Sequence, residues 1–176
     1  MVIGILVTAW ATLDILDSAW IAFSLGAGLL IVVGLLDDKY DLPWWLRIGV
    51  QVIAALIMAL MGGVQVQHLG PVFGLGDIPL GVLSVPFTVF ATVGLINAIN
   101  MIDGSDGLAG SLVLAALVML VAACLYSGND VMAGRVMIMV GAVAAFLWFN
   151  LRFPWRPRAQ VFMGNAGSAF LGFVIA

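Results

Sequence analysis

Long apolar runs alternate with short polar connections along the chain. Five runs, 18–36, 44–64, 81–99, 107–126 and 131–149, are close to the roughly 20 residues a helix needs to cross a bilayer. Two shorter runs, 1–13 and 166–176, stand at the ends and read as truncated helices. Met1–Leu13 has no basic stretch and no small-residue cleavage signal, so it reads as part of a membrane helix rather than a signal peptide. No repeat or linker divides the chain. The pattern predicts an all-α protein: one membrane domain over 1–176, a polytopic transmembrane helix bundle with five full spans and two truncated terminal helices. It is expected to be a fragment of a longer protein.

The connections fall alternately on two sides. Side one holds Asp37–Pro43, Asn97–Gly107 and Asn150–Asn165; side two holds Asp14–Asp17, Gly62–Leu80 and Ser127–Asp130. Lys39, Arg47, Arg152, Arg156 and Arg158 lie on side one, and only Arg135 lies near side two. Cytoplasmic loops carry the excess of Lys and Arg, so side one is expected to face the cytoplasm. Trp44, Trp45, Trp148 and Trp155 flank the same side, as interfacial aromatics do. The Gly- and Pro-rich 62–80 segment has short β-like stretches at Val64–Gln67 and Pro71–Phe73, which predict an outside hairpin.

Composition narrows the classes further. The chain is 64% hydrophobic and 9% charged, with a mean hydropathy of +1.23. A soluble domain is about half apolar and a quarter charged, so soluble and disordered classes are excluded. A net charge of −3 offers no field for nucleic acid. The single cysteine, Cys124, excludes an internal disulfide and a cysteine zinc site, and reads as a small buried hydrophobe.

The acids are not scattered. There is no glutamate, and five of the nine aspartates form two clusters on side one: Asp37, Asp38 and Asp41, then Asp103 and Asp106. Each cluster alone has an ordinary reading. Asp37-Asp38 can end a helix at the interface, Asp103-Gly-Ser-Asp106-Gly can be a turn, and Asp106 can cap the helix that starts near Gly107. Together they are harder to explain without a ligand. Two carboxylates about 4 Å apart repel by roughly 1–4 kcal/mol, which a cation between them would relieve. Hard oxygen donors suit magnesium, manganese or calcium. Asn97 and Asn100 share a helix face just before the second cluster, either bonding neighbouring helices or positioning a ligand. Arg152, Arg156 and Arg158 are topology anchors or bidentate hydrogen-bond donors that hold phosphates. Lys39 is a candidate phosphate-binding charge. His68 reads as a solvated loop histidine.

These residues carry a resemblance. Gly34-Leu-Leu-Asp37-Asp38-Lys-Tyr-Asp41 resembles the first aspartate motif of the polyprenyl-phosphate N-acetylhexosamine-1-phosphate transferases. Asn97-Ala-Ile-Asn100-Met-Ile-Asp103-Gly-Ser-Asp106-Gly-Leu-Ala resembles the second, and Val161-Phe-Met-Gly-Asn165-Ala-Gly-Ser168-Ala-Phe-Leu-Gly172 is similar to the third. The Asp-Lys-Tyr-Asp and Asn-Met-Ile-Asp variants look closer to bacterial undecaprenyl-phosphate GlcNAc-1-phosphate transferases of O-antigen and teichoic acid synthesis than to the phospho-MurNAc-pentapeptide translocase.

The resemblance implies a reaction in which a UDP-amino sugar gives its sugar-1-phosphate to a membrane polyprenyl phosphate, leaving UMP and requiring Mg2+, with Mn2+ as a substitute. It implies an enzyme of the bacterial inner membrane, multi-pass, with its site on the cytoplasmic face. Asp37 and Asp38 match the catalytic pair and Asp103 a site carboxylate. Asn100 and the third-motif position, Asn165, match metal ligands. Gly104 and Asp106 match nucleotide contacts, and Phe162 matches a residue that stacks on uracil. Lys39 and Arg156 join these as substrate-binding candidates. Expected partners are the UDP-sugar, the polyprenyl phosphate lipid and the membrane, with no nucleic acid and with a homodimer left open.

Position 165 departs from the family, being Asn where the motif has Asp. The family's N-terminal Pro- and Gly-rich loop, the helices after the third motif and a His-bearing loop also have no counterpart in the sequence. Chemically, an all-acid site cannot bind two anionic substrates unaided, and a magnesium ion resolves the conflict. A phosphate monoester has a second pKa near 6, so the lipid phosphate is already mostly dianionic at neutral pH and positioning outweighs proton abstraction. A covalent phospho-aspartyl route stays open. The rival classes are a divalent-cation transporter, which places ionisable residues near the midplane, and a non-catalytic membrane subunit, which needs no acid clusters.

Overall fold

The computed structural model describes residues 17–71, 76–152 and 158–176. The predicted span 1–13, Trp155 and Arg156 lie outside the described residues. The described elements are α1 (Ser18–Tyr40), α2 (Trp44–Leu60), β1 (His68–Pro71), β2 (Asp77–Pro79), α3 (Ser84–Ile102), α4 (Leu108–Tyr126), α5 (Asp130–Asn150) and α6 (Gly164–Val174), with one 3-10 turn at Gly81–Leu83 before α3.

Local chemistry sets the helix ends. Asp17 caps α1, its carboxylate accepting the Ala19 N–H, and Asn129 caps α5 by accepting the Met132 N–H at 3.1 Å. Pro43 precedes α2 and cannot extend α1. Four helices are long and apolar enough to cross a membrane: Ser18–Tyr40, Gly81–Ile102, Leu108–Tyr126 and Asp130–Asn150. The predicted span at 44–64 differs. Its helix runs only over Trp44–Leu60, 17 residues, because Gly62-Gly63 leaves the helical path with Gly63 at φ +66. At 1.5 Å per residue this is about 26 Å, at the lower limit for crossing. The chain is a multi-pass membrane protein with many apolar helices. Their outward faces are unpolar too; Leu25, Val32, Phe90 and Met119 are all more than half exposed or close to it, as lipid-facing residues would be.

The expected hairpin is present, with its strands shifted along the chain. β1 and β2 pair antiparallel, His68 opposite Pro79, rather than beginning at Val64. His68 Nδ1 lies 2.8 Å from Asp77 Oδ2 across the pair, so the loop histidine has a partner.

The short helix α6 sits at the centre, packed against α1 and α3, while α2 bridges α1 and α3 on the other side. Close approach rests on small residues. A Cβ at Gly34 would run into the Ala166 backbone, and one at Gly172 into Ile96, which is how membrane helices gain contact without a hydrophobic driving force. Phe170 is fully buried, and the Phe23 and Phe173 rings stack at 5.7 Å. Helices α4 and α5 form a separate tight pair along Val113, Leu117 and Val121 against Met139, Val143 and Leu147. This connectivity returns the ends of α1, α3 and α5 and the starts of α2, α4 and α6 to one end of the bundle.

Candidate active site

Adjacent residues on a helix point about 100° apart, so Asp37 and Asp38 meet different surroundings. Asp37 turns inward and is 4% exposed. Its Oδ1 accepts the Leu42 N–H at 2.9 Å and its Oδ2 accepts from Arg47 at 3.2 Å. It ties the α1–α2 corner together. Asp38 is exposed on the last turn of α1 and reaches α6, where its Oδ1 accepts the Asn165 N–H at 2.8 Å. That contact places a carboxylate on the positive end of the α6 dipole. Gly164 makes room for it: its φ is +68, and a Cβ there would stand 2.8 Å from Asp38 Oδ2.

The C-terminal end of α3 supplies the opposing groups. Asn97 donates to Gln51 Oε1 at 2.6 Å and to the Val93 carbonyl at 2.8 Å. One turn on, the Asn100 amide donates to Asn165 Oδ1 at 3.0 Å and to Ser168 Oγ at 2.8 Å. Asp103 follows at the helix end, outside the span. Burial, with the Asp38 charge adding to it, pushes its carboxyl up to about 6. The Asp38 charge is therefore near enough to oppose the ionisation of Asp103. Among the described residues no three acid, His or Cys side chains gather at one point. The oxygen donors that could hold a cation are two carboxylates, Asp38 and Asp103, beside the amides of Asn100 and Asn165.

A small cavity of about 60 Å3 opens between α1, α2, α3 and α6, lined by Asp37, Arg47, Gln51, Asn97, Asn100 and Asn165. Its other walls are apolar, from Leu30, Val33, Val50 and Ile96, and its volume admits a few water molecules.

The remaining candidates separate. Asp106 bonds Arg152, its Oδ2 accepting from Nε at 2.6 Å. Gly104 is exposed at the turn, and Phe162 presents its ring at 78% exposure. Lys39 is exposed, with its ammonium 5.0 Å from the Tyr40 ring centre, and among the described residues it makes no ion pair. Asp41 caps α1 in a left-handed conformation and is exposed. Arg47, Gln51, Ser168 and Asn150 also belong to this region; in the sequence Arg47 reads only as a topology cation, Ser168 only as part of the third motif, and Gln51 and Asn150 carry no role. The spacing of Arg47 and Gln51, four residues apart and both polar in an apolar run, was the available signal.

Comparisons with known proteins bear on the same residues. The chain is 34% identical over 149 residues to the undecaprenyl-phosphate alpha-N-acetylglucosaminyl 1-phosphate transferase of Escherichia coli (strain K12), covering 85% of this chain and 40% of that protein. It is 36% identical over 147 residues to the Yersinia pestis protein of the same name, covering 84% and 40%. A probable undecaprenyl-phosphate N-acetylglucosaminyl 1-phosphate transferase of Bacillus subtilis (strain 168) is 32% identical over 174 residues, 99% of this chain and 47% of that protein. The chain thus spans less than half the length of these curated relatives. The family profile described as glycosyl transferase family 4 matches residues 20–176, a stretch that includes Asp37, Asp38, Asn100, Asp103 and Asn165, and the chain belongs to that family.

Proposed function

We propose that the protein containing this chain transfers a sugar-1-phosphate, GlcNAc-1-phosphate first among candidates, from a UDP-sugar to undecaprenyl phosphate at the cytoplasmic face of the bacterial inner membrane, releasing UMP. This would be a first membrane step of envelope polysaccharide synthesis. The observation that carries the reading is the meeting of Asp38, Asn100, Asp103 and Asn165 at one end of apolar helices, where a water-borne nucleotide and a lipid headgroup can both arrive. The names of the relatives point the same way.

The donor set fits a magnesium ion. Asp103 is held above the ordinary carboxylate range first by burial and then by the Asp38 charge, and a cation beside the two would offset both. Magnesium takes one or two carboxylates and completes its shell with water and phosphate oxygens. Asp38 and Asp103 would hold it, with the Asn100 and Asn165 carbonyl oxygens within the same group. When bound, it supplies charge neutralisation for the transferring phosphoryl group. The chain's own residues do the rest. Asp37 and Arg47 fix the α1 end, and Asn100 orients Asn165. Gly104, Asp106 and Phe162 are nucleotide contacts, while Lys39 and Arg156 are phosphate contacts. The lipid phosphate oxygen bonds to the phosphorus that bears the sugar, the bond from that phosphorus to the UMP oxygen breaks, and UMP carries away the electron pair. No general base is required of a dianionic phosphate.

A cation transporter is not favoured: the four spanning helices carry no charged residue near their centres. The test is the full-length protein in proteoliposomes with UDP-GlcNAc and undecaprenyl phosphate. Labelled sugar phosphate should appear in lipid with equimolar UMP and only with a divalent cation. Cation uptake without UMP would establish the transporter instead.

A further inference from the structure

Asn150 ends α5 and is 4% exposed, a polar side chain enclosed at the mouth of the bundle. Both ends of its amide are used, and neither serves its own helix. Oδ1 accepts the Gly107 backbone N–H at 2.8 Å, and Nδ2 donates to the Val161 carbonyl at 2.7 Å. Asn129, at the other end of α5, behaves as an ordinary cap and bonds within the first turn. Asn150 instead joins two segments that are distant in sequence: the turn that carries Asp103, Gly104 and Asp106, and the stretch that carries Phe162.

Neighbouring contacts run the same way. The Gln160 N–H donates to the Phe149 carbonyl at 2.9 Å, Arg152 holds Asp106, and the Leu151 side chain closes on Gly107, where a Cβ would collide with it. The end of α5 is thus a platform on which both segments are fastened, and Asn150 is the one buried side chain among these that bonds to both. A buried amide with two satisfied bonds resists rearrangement, because leaving either partner unpaired costs its desolvation.

We propose that Asn150 is a positioning residue that fixes the separation between the Asp103–Gly107 turn and Phe162, and so sets the nucleotide half of the site. The proposal rests on the reading of those two segments as nucleotide contacts. It assigns Asn150 no contact with the reacting atoms.

The experiment uses the full-length protein in proteoliposomes with Asn150→Ala and Asn150→Leu; the second keeps the volume and is read where the first does not accumulate. Four quantities are measured: KM for UDP-GlcNAc, KM for undecaprenyl phosphate, calorimetric UMP binding, and amide hydrogen exchange across 103–108 and 159–163. Losing two hydrogen bonds should raise the UDP-GlcNAc KM and the UMP Kd by about 10-fold, with the lipid KM within about threefold. Exchange should rise in both segments while α1 stays protected. Unchanged UMP binding in a folded variant overturns the proposal, as does an equal rise in both KM values, which would mark general loosening. If the wild type releases no UMP, the transferase reading fails, and UMP binding still decides: binding weakened by the substitutions supports the positioning role, and a wild type that binds no UMP ends it.

Discussion

Asp38 and Asn165 stand 127 positions apart in the chain and meet through a 2.8 Å hydrogen bond, the Asn165 N–H donating to Asp38 Oδ1. This contact makes the first and third motifs one site. It also separates the two members of the first pair: Asp38 reaches α6 from the exposed side, while Asp37 is buried, bonded to Leu42 and Arg47, and lines the cavity.

That division predicts different phenotypes. Asp37→Asn weakens a charge-assisted bond at a buried group, at about 1.5–3 kcal/mol, and should lower the thermal midpoint of the full-length protein by about 2–4 °C. Asp38→Asn keeps an oxygen for the Asn165 N–H and should leave the midpoint nearly unchanged while removing activity. Thermal unfolding in detergent beside UMP release checks both. Equal midpoints for the two variants would contradict the assignment.

The raised Asp103 carboxyl gives a pH dependence with a definite sign. Between the ordinary value of 3.8 and about 6, the folded protein holds a proton that the unfolded chain has released. Stability without a cation should therefore fall as pH rises through that window. Cation affinity should move oppositely, weakening as pH drops below about 6 and Asp103 protonates. The infrared carboxyl band of metal-free protein reports the titration directly. Asp38→Asn should shift the midpoint down by removing the opposing charge, and burial should keep it above 3.8.

Asn165 stands where the family motif carries a carboxylate, and its Oδ1 is already engaged by Asn100. Asn165→Asp should add a third acid beside Asp38 and Asp103 with little change in size. A charged ligand interaction is worth about 2–4 kcal/mol, so the substitution should raise the rate of the full-length protein by roughly 30- to 1,000-fold or lower its magnesium requirement. A magnesium titration of UMP release measures this. Identical curves would show that position 165 does not serve the metal.

The cation bias predicts the orientation. Cysteines at Lys39 and Arg156, introduced with Cys124→Ala, should resist an impermeant thiol reagent added outside intact cells and react after permeabilisation. Labelling from outside would invert the bundle and deny the site its cytosolic nucleotide.

The gathering of the site was legible in the sequence because alternating spans return every second connection to the same side. Counting spans alone brings Asp38, Asn100, Asp103 and Asn165 together. What it could not give was direction within a turn. Asp37 and Asp38 are equivalent in the chain, and only the packing of α1 between α2 and α6 decides that one is buried against Arg47 and the other reaches Asn165. The length of α2 was overread because its apolar run continues past Leu60, while backbone geometry at Gly62-Gly63 ends the helix. Asn150 was invisible as a functional residue: it closes an apolar run, and its partner Gly107 lies 43 positions away.

The central claim is that Asp38 and Asp103 act as one cation-dependent unit. The most direct measurement is UMP release by the full-length protein carrying Asp38→Asn, Asp103→Asn or both, at saturating magnesium. Groups that work as a unit are non-additive, so each single variant should lose at least about 100-fold and the double variant should be no worse than the poorer single. Either single variant releasing UMP at the wild-type rate, or a double variant whose loss is the product of two modest ones, would contradict it.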